Sequence, residues 1–113
     1  METEYWEYDA GTDSVALLVI PGALTRTRVF DIDVTLVVRV PASGRASHSL
    51  SVEVDGRRLW GRRVDSHNPG DTDGLEYHHR LTLAPGPDCR VRARAETQGT
   101  RVAQLRIEAR EVG

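Results

Sequence analysis

The chain has 113 residues, enough for one domain with a single core, and its formal net charge is −2. This near-neutral balance argues against general nucleic-acid binding, which relies on an excess of basic residues. No segment approaches the roughly 20 apolar residues of a membrane helix, and the acidic N-terminus is unlike a secretory signal. We therefore expect one domain, residues 1–113, in the cytoplasm, with neither membrane nor nucleic acid as partner.

The only cysteine, Cys89, cannot form an internal disulfide, which fits a reducing compartment. It alternates with Val91 and Ala93, whose side chains are apolar. We therefore expect Cys89 to be a small core residue and not a reactive thiol.

In chain order, the first strand-like segment is 4–8, which predicts an edge strand or an arm. The sequence leaves open whether it pairs in its own sheet or in that of another subunit. The next segment, 14–20, is a nearly continuous apolar run, typical of a central strand or of a strand with one face at an edge. In segment 30–40 every second residue from Phe30 to Val40 is apolar without a break, which predicts a long, half-buried strand at the centre of a sheet.

The remaining segments repeat this alternation, and no window has the spacing of an amphipathic helix. They are 48–54, 57–64, 75–83, 89–96 and 100–111. Strands of this length joined by short turns predict an all-β fold: a two-sheet antiparallel β-sandwich of jelly-roll or immunoglobulin-like type, with seven to eight strands. The overall pattern is similar to that of galactose-binding-like and carbohydrate-binding modules.

Asp55 and Gly56 separate two of these segments and form a strong hairpin signal. With these two residues as the loop, Val52 lies opposite Leu59, and Trp60 faces solvent between Arg58 and Arg62. An exposed Trp between two arginines would bind a sugar ring or a protein partner. The alternative is a β-bulge, for which Gly61 is a candidate, that turns Trp60 and Val64 towards the core.

The loop 65–74 offers oxygen ligands at Asp65, Asp71 and Asp73, together with glycines that permit sharp turns. Calcium is the ion that such ligands favour. The same residues are also typical of an ordinary connection between strands. His67, His78 and His79 raise the question of zinc. Neighbours on a strand point to opposite faces, so His78 and His79 cannot bind the same ion unless the strand is broken, but His67 with one of them and an Asp of the loop would make a three-ligand site.

The outward faces of the last two strands carry charge. If these strands form a final hairpin, Arg92 lies near Arg106 and Arg90 lies near Glu108, which would give a basic face with acidic interruptions. Such a face would support self-association or docking to an acidic partner, or would be ordinary solvated surface.

The chain contains no nucleophile turn and no phosphate-binding loop, so we expect no enzymatic activity and no resident cofactor. The first functional hypothesis is a non-catalytic intracellular protein that binds a protein partner or itself, with Trp60, Arg58 and Arg62 as anchors. The alternative is a carbohydrate-binding module, with or without calcium, that uses Trp60 as a stacking platform and the loop 65–74 as its rim.

Overall fold

The alternating segments form eight β-strands in a computed structural model that describes residues 2–113. In chain order they are β1 (Tyr5–Asp9), β2 (Val15–Ile20), β3 (Arg28–Arg39), β4 (Ser47–Val54), β5 (Arg57–Asp65), β6 (Thr72–Leu83), β7 (Cys89–Gln98) and β8 (Arg101–Glu111). Residues 2–113 contain no helix that could cross a membrane.

Two antiparallel sheets of four strands pack face to face, as predicted. Sheet I has the order β1-β8-β3-β6, and sheet II has the order β2-β7-β4-β5. The pairs β1–β8, β2–β7, β3–β6 and β4–β5 are nested, so the chain is one long hairpin rolled into two layers. This is the jelly-roll member of the two predicted alternatives.

The core lies between the inner faces, and β3 runs through it. Its inward residues Phe30, Ile32, Val34, Leu36 and Val38 are all at most 1% exposed. Strand β3 pairs with β8 on one side and with β6 on the other, so its predicted central place is confirmed. Burial of each such side chain contributes about 1.5–3 kcal/mol, and the alternation of β3 therefore dominates the choice of register.

Strand β1 pairs with β8 of the same chain and is held by a charged group that we call the end cluster, residues Glu4, Arg26, Arg28 and Glu111. Arg28 is only 3% exposed, and its guanidinium lies 2.7 Å from Glu4 and 2.8 Å from the carbonyl of Pro21. Arg26 bridges Glu4 and Glu111 at 2.6 and 2.8 Å. The end cluster thus links the segment before β1 to the start of β3 and the end of β8.

A buried histidine joins the two sheets. His48 of β4 is 1% exposed, and its Nε2 lies 3.3 Å from the carbonyl oxygen of Gly74 on β6. Because a carbonyl only accepts, Nε2 is the donor of this bond, and Nδ1 forms a second hydrogen bond of 2.7 Å with the hydroxyl of Ser66. A Cβ on Gly74 would lie 2.3 Å from the carbonyl oxygen of Leu36, so only glycine fits this close approach.

Candidate binding surfaces

The register at Trp60 differs from the simple two-residue hairpin. Asp55 and Gly56 form the loop with positive φ angles of 51° and 81°, and Val54 lies opposite Arg57 as predicted. The register then shifts, so that Val52 pairs with Trp60 and not with Leu59. The bulge alternative therefore applies, although the extra residue is Leu59 and not Gly61.

Trp60 packs inward against the edge of the core. Its ring stacks on Tyr77 of β6, with centroids 4.6 Å apart and planes 11° apart. Tyr77 in turn lies 6.0 Å from His79 on the same strand. This column, Trp60, Tyr77 and His79, is the aromatic seam between edge strands β5 and β6, and all three side chains keep part of their surface exposed. Trp60 has a larger apolar area than Leu59 and takes the inner position. The bulge makes this exchange possible, because Leu59 is the extra residue.

Arg58 and Arg62 are both exposed but do not flank Trp60 on one face. Arg58 pairs with Glu53 on the outer side of sheet II, whereas Arg62 lies opposite Leu50 on the inner side, at the sheet edge. The predicted three-residue anchor is therefore corrected: the bulge at Leu59 places Trp60 and Arg58 on different faces.

The outer side of sheet II carries a different basic surface. Five outward arginines lie on β5 and β7, and no ion pair connects any of them to a carboxylate of residues 2–113. We call this surface the arginine face; its members are Arg58, Arg63, Arg90, Arg92 and Arg94. Side chains on alternate positions of one strand lie about 7 Å apart, so β7 presents three guanidinium groups in a row.

Apolar side chains border this row. On edge strand β2, Val15 pairs with Arg94, Leu17 with Arg92 and Val19 with Arg90. Val15 is 42% exposed. The arginine face thus combines a cationic row with an aliphatic border. Three acidic residues, Glu53, Asp65 and Glu96, also lie on this face, so its five arginines are in excess.

The outer side of sheet I has most of its charges paired within residues 2–113; Arg39, Arg101 and Glu76 are the exceptions. Arg80 binds Asp31 through two hydrogen bonds of 2.8 and 3.2 Å, and this pairing lowers the pKa of Asp31. His78 lies 2.9 Å from Asp33. Arg106 binds Glu7, and the hydrogen bond lowers the pKa of that carboxyl.

The tyrosine of this face joins the same network. Tyr5 donates its hydroxyl to Glu108 at 2.5 Å, which raises the pKa of Tyr5 to about 12. Glu108 also lies 3.3 Å from Arg106. Such exposed pairs contribute little energy individually.

The expected final hairpin is not formed. Strand β7 pairs with β2 and β4 in sheet II, whereas β8 pairs with β1 and β3 in sheet I. Arg92 and Arg106 therefore lie on opposite outer faces. Gly99, with a φ of 72°, lies at the crossing point between the sheets.

In the loop 65–74, Asp71 and Asp73 accept backbone hydrogen bonds. Asp71 accepts from the amide of Thr72, and Asp73 accepts from the amides of His67 and Gly74, each at 2.8 Å. Burial opposes ionisation of Asp73, but these hydrogen bonds outweigh it and lower its pKa. Within residues 2–113, no group of three acidic, histidine or cysteine side chains is placed to hold a metal ion. Calcium binding at Asp65, Asp71 and Asp73 stays a prediction.

Cys89 lies in the core at 3% exposure, as predicted. Burial, together with the nearby Asp55, raises the pKa of its thiol to about 11. The thiol is therefore protonated at neutral pH and is a packing group.

The sequence matches no protein-family model and no curated protein sequence. Among solved structures, the chain is similar to Eiger TNF from S. frugiperda, with a TM-score of 0.54 and 14% identity over 100% of this chain and 94% of that one. It is also similar to dimeric latent PorU from Porphyromonas gingivalis, with a TM-score of 0.55 and 8% identity over 93% of this chain. The chain spans only 11% of that protein's length.

A third structure, the C-terminal CBM6 of LamC from Zobellia galactanivorans, has 13% identity and a TM-score of 0.38 over 94% of this chain and 98% of that module. At this score the correspondence carries no functional inference. At such low identities the two higher-scoring structures show a shared sandwich fold and nothing about activity.

Proposed function

We propose that the protein is a non-catalytic interaction module that docks onto an acidic protein surface through its arginine face. The observation that carries this proposal is the contrast between the arginine face, where five arginines lie together without an ion pair to residues 2–113, and the middle of sheet I, where Arg80 and Arg106 are paired with carboxylates. A guanidinium group with no carboxylate partner in its own chain is available to bind one on another molecule.

The aliphatic border of β2 favours a protein partner over a nucleic acid. Val15, Leu17 and Val19 would gain from burial against apolar side chains, which a phosphate backbone does not offer. The arginine face also carries no aromatic residue on which a base could stack. An interface with arginines beside apolar residues matches the composition of protein hot spots.

A second copy of this chain is a poor occupant of the arginine face. The acidic residues of sheet I, such as Asp31 and Glu7, are already engaged by Arg80 and Arg106. Docking sheet I onto the arginine face would therefore require these pairs to be exchanged at no net gain. We expect the isolated protein to be monomeric in light scattering across a range of concentrations.

The test uses short fluorescent peptides of equal charge, one alternating glutamate with valine and the other alternating glutamate with serine. Binding is measured by anisotropy for the wild type and for the triple variant Arg90→Glu, Arg92→Glu, Arg94→Glu. We expect the valine peptide to bind more tightly, and the triple variant to lose at least about tenfold in affinity.

The control carries the same change in charge at exposed positions outside the arginine face: Arg45→Glu, Arg57→Glu and Arg62→Glu. It should keep most of the wild-type affinity. Equal losses in the two triple variants would show that only net charge matters, and the proposed docking face would be rejected. Tighter binding of a single-stranded oligonucleotide than of either peptide would likewise reject a protein partner.

A second candidate function is carbohydrate binding at the aromatic seam, where Trp60, Tyr77 and His79 retain exposed surface between two edge strands. The test is thermal unfolding followed by tryptophan fluorescence, with simple sugars and oligosaccharides, and with calcium or EDTA. A ligand at a hundred times its dissociation constant adds about 2.7 kcal/mol to folding stability, which shifts the midpoint by several degrees. A flat panel would reject this candidate.

A further inference from the structure

Two arginines stand directly opposite each other at one end of sheet I. Arg39 is the last residue of β3 and Arg101 is the first residue of β8, and their Cα atoms are register partners. Both side chains are exposed, and within residues 2–113 neither forms an ion pair. Like charges at directly opposed positions destabilise a sheet. An anion placed between the two guanidinium groups would replace repulsion with attraction.

The arginine pair lines an open depression of about 860 Å³. A bulge in β8 helps to form it, because Gln104 pairs with Val37 and Val102 with Val38, which leaves Ala103 without a partner residue. Bulges are common beside binding sites, where they redirect neighbouring side chains. The volume falls within the range of small-molecule sites, roughly 300–1,000 Å³.

The remaining walls supply polar groups that the chain does not use. Thr12, Asp13 and Ser14 come from the loop between β1 and β2, and Thr97 comes from β7. Their side chains make no hydrogen bond within residues 2–113. Thr100, in the same depression, differs because its hydroxyl donates to the carbonyl of Ser47 at 3.0 Å.

We infer that this depression binds a small polyhydroxylated molecule that carries a carboxylate or phosphate group. The oxyanion would lie between Arg39 and Arg101, because a guanidinium group donates two parallel hydrogen bonds to two oxygens of a carboxylate or a phosphate. The hydroxyl groups of the ligand would donate to Asp13 and exchange hydrogen bonds with Thr12 and Thr97. The depression lies between residues of both sheets and includes none of the arginines of the arginine face.

Isothermal titration with four probes tests this inference: glucuronate, glucose 6-phosphate, inorganic phosphate and glucose. We expect at least one of the two acidic sugars to bind, inorganic phosphate to bind more weakly, and glucose to give no signal. Which acidic sugar binds identifies the oxyanion. Failure of both acidic sugars, or binding of glucose with equal affinity, would overturn the inference.

Variants locate the site. Arg39→Gln and Arg101→Gln should each weaken binding of the acidic sugar by at least about tenfold, whereas Arg57→Gln, an exposed arginine elsewhere, should not change it. Asp13→Asn should weaken binding of the sugar but leave that of inorganic phosphate unchanged. Unchanged affinity in both Arg39→Gln and Arg101→Gln would exclude this site.

The stability of the unliganded protein provides a separate readout. Because Arg101→Gln removes a cross-strand repulsion, its thermal midpoint without ligand should equal or exceed that of the wild type. A midpoint below that of the wild type would show that Arg101 serves the fold, and the assignment of the pair to a ligand would fail.

Discussion

The two outer faces of the sandwich differ in how far their charged side chains are paired. In the middle of sheet I, arginines and carboxylates neutralise one another in the Arg80–Asp31 and Arg106–Glu7 pairs, and Arg39 and Arg101, unpaired among the described residues, lie at one end. On sheet II, the arginine face has no such pair within residues 2–113. Charges of the first kind support the chain itself, and charges of the second kind remain available to another molecule. We propose that this difference separates structural from functional use of the same residue type.

The largest expected effect lies in the end cluster, on the sheet I side. Glu4→Gln removes the carboxylate that neutralises Arg28, which is 3% exposed, and also weakens the contact with Arg26. We expect a loss of about 2–3 kcal/mol in the free energy of unfolding, measured with urea.

The matched control is Glu53→Gln on the arginine face, where the carboxylate has no ion pair. It should cost less than about 0.5 kcal/mol. Equal losses in the free energy of unfolding from Glu4→Gln and Glu53→Gln would contradict the difference between the two faces.

The next largest effect should come from acid, which should weaken the ion pairs of the end cluster. Burial would raise the pKa of Glu4, but hydrogen bonds from Trp6, Arg26 and Arg28 outweigh it and lower the pKa. A hydrogen bond from Arg26 likewise lowers the pKa of Glu111. Because these folded-state values lie below the unfolded value of about 4, the stabilisation is complete above that pH and is lost as the pH falls through the folded values.

Urea unfolding between neutral pH and about pH 3 measures this effect. The free energy of unfolding should stay level above about pH 5 and fall below about pH 4, with a smaller fall in Glu4→Gln than in the wild type. A profile that is flat down to pH 3 would contradict the assignment of these carboxylates to structural pairs.

Replacement of a single arginine by glutamine should lower the thermal midpoint on sheet I but not on the arginine face. Arg106→Gln removes the partner of Glu7 and Glu108 and should lower the midpoint by a few degrees at most. Arg92→Gln removes one charge from a row of like charges and should leave the midpoint unchanged or raise it. Scanning calorimetry at low ionic strength gives the clearest result, because salt screens both effects. A lower midpoint in Arg92→Gln would show that this arginine is structural after all.

The smallest expected effect is at Gly61. A Cβ at this position would lie 1.9 Å from the guanidinium of Arg58, and that flexible side chain can move aside. Gly61→Ala should therefore leave stability within about 0.5 kcal/mol and reduce affinity for the acidic valine peptide by less than the triple variant does. A large loss of stability would show that the backbone at position 61 requires glycine, and that Gly61 does more than leave space for Arg58.

Much of this fold follows from local pattern. The period of two in 30–40 and in 89–96 predicts the inward residues of β3 and β7, and the same phase predicts that Arg90, Arg92 and Arg94 face outward. Burial of aliphatic side chains decides these positions, and burial can be recognised in sequence through alternation.

The wrong predictions concern features that depend on contacts between residues distant in sequence. Both Leu59 and Trp60 are apolar, so alternation does not determine which of them enters the core; the stacking partner Tyr77 lies on β6 and decides it. The short connection at Gly99 is compatible with a hairpin, yet the nested pairing of the whole chain carries β7 and β8 into different sheets. Arg28 is buried because partners distant in sequence neutralise it, and a charged residue at a strand end gives no such signal.

The most direct test of the docking proposal is a nuclear magnetic resonance titration of the labelled protein with the acidic valine peptide, followed through backbone amides and arginine Nε groups. We expect perturbations to concentrate on β2, β7 and the outer sides of β4 and β5, led by Arg90, Arg92 and Arg94, while Arg80 and Arg106 stay unperturbed. Perturbations centred on sheet I or on the aromatic seam would contradict the claim that the arginine face is the docking surface.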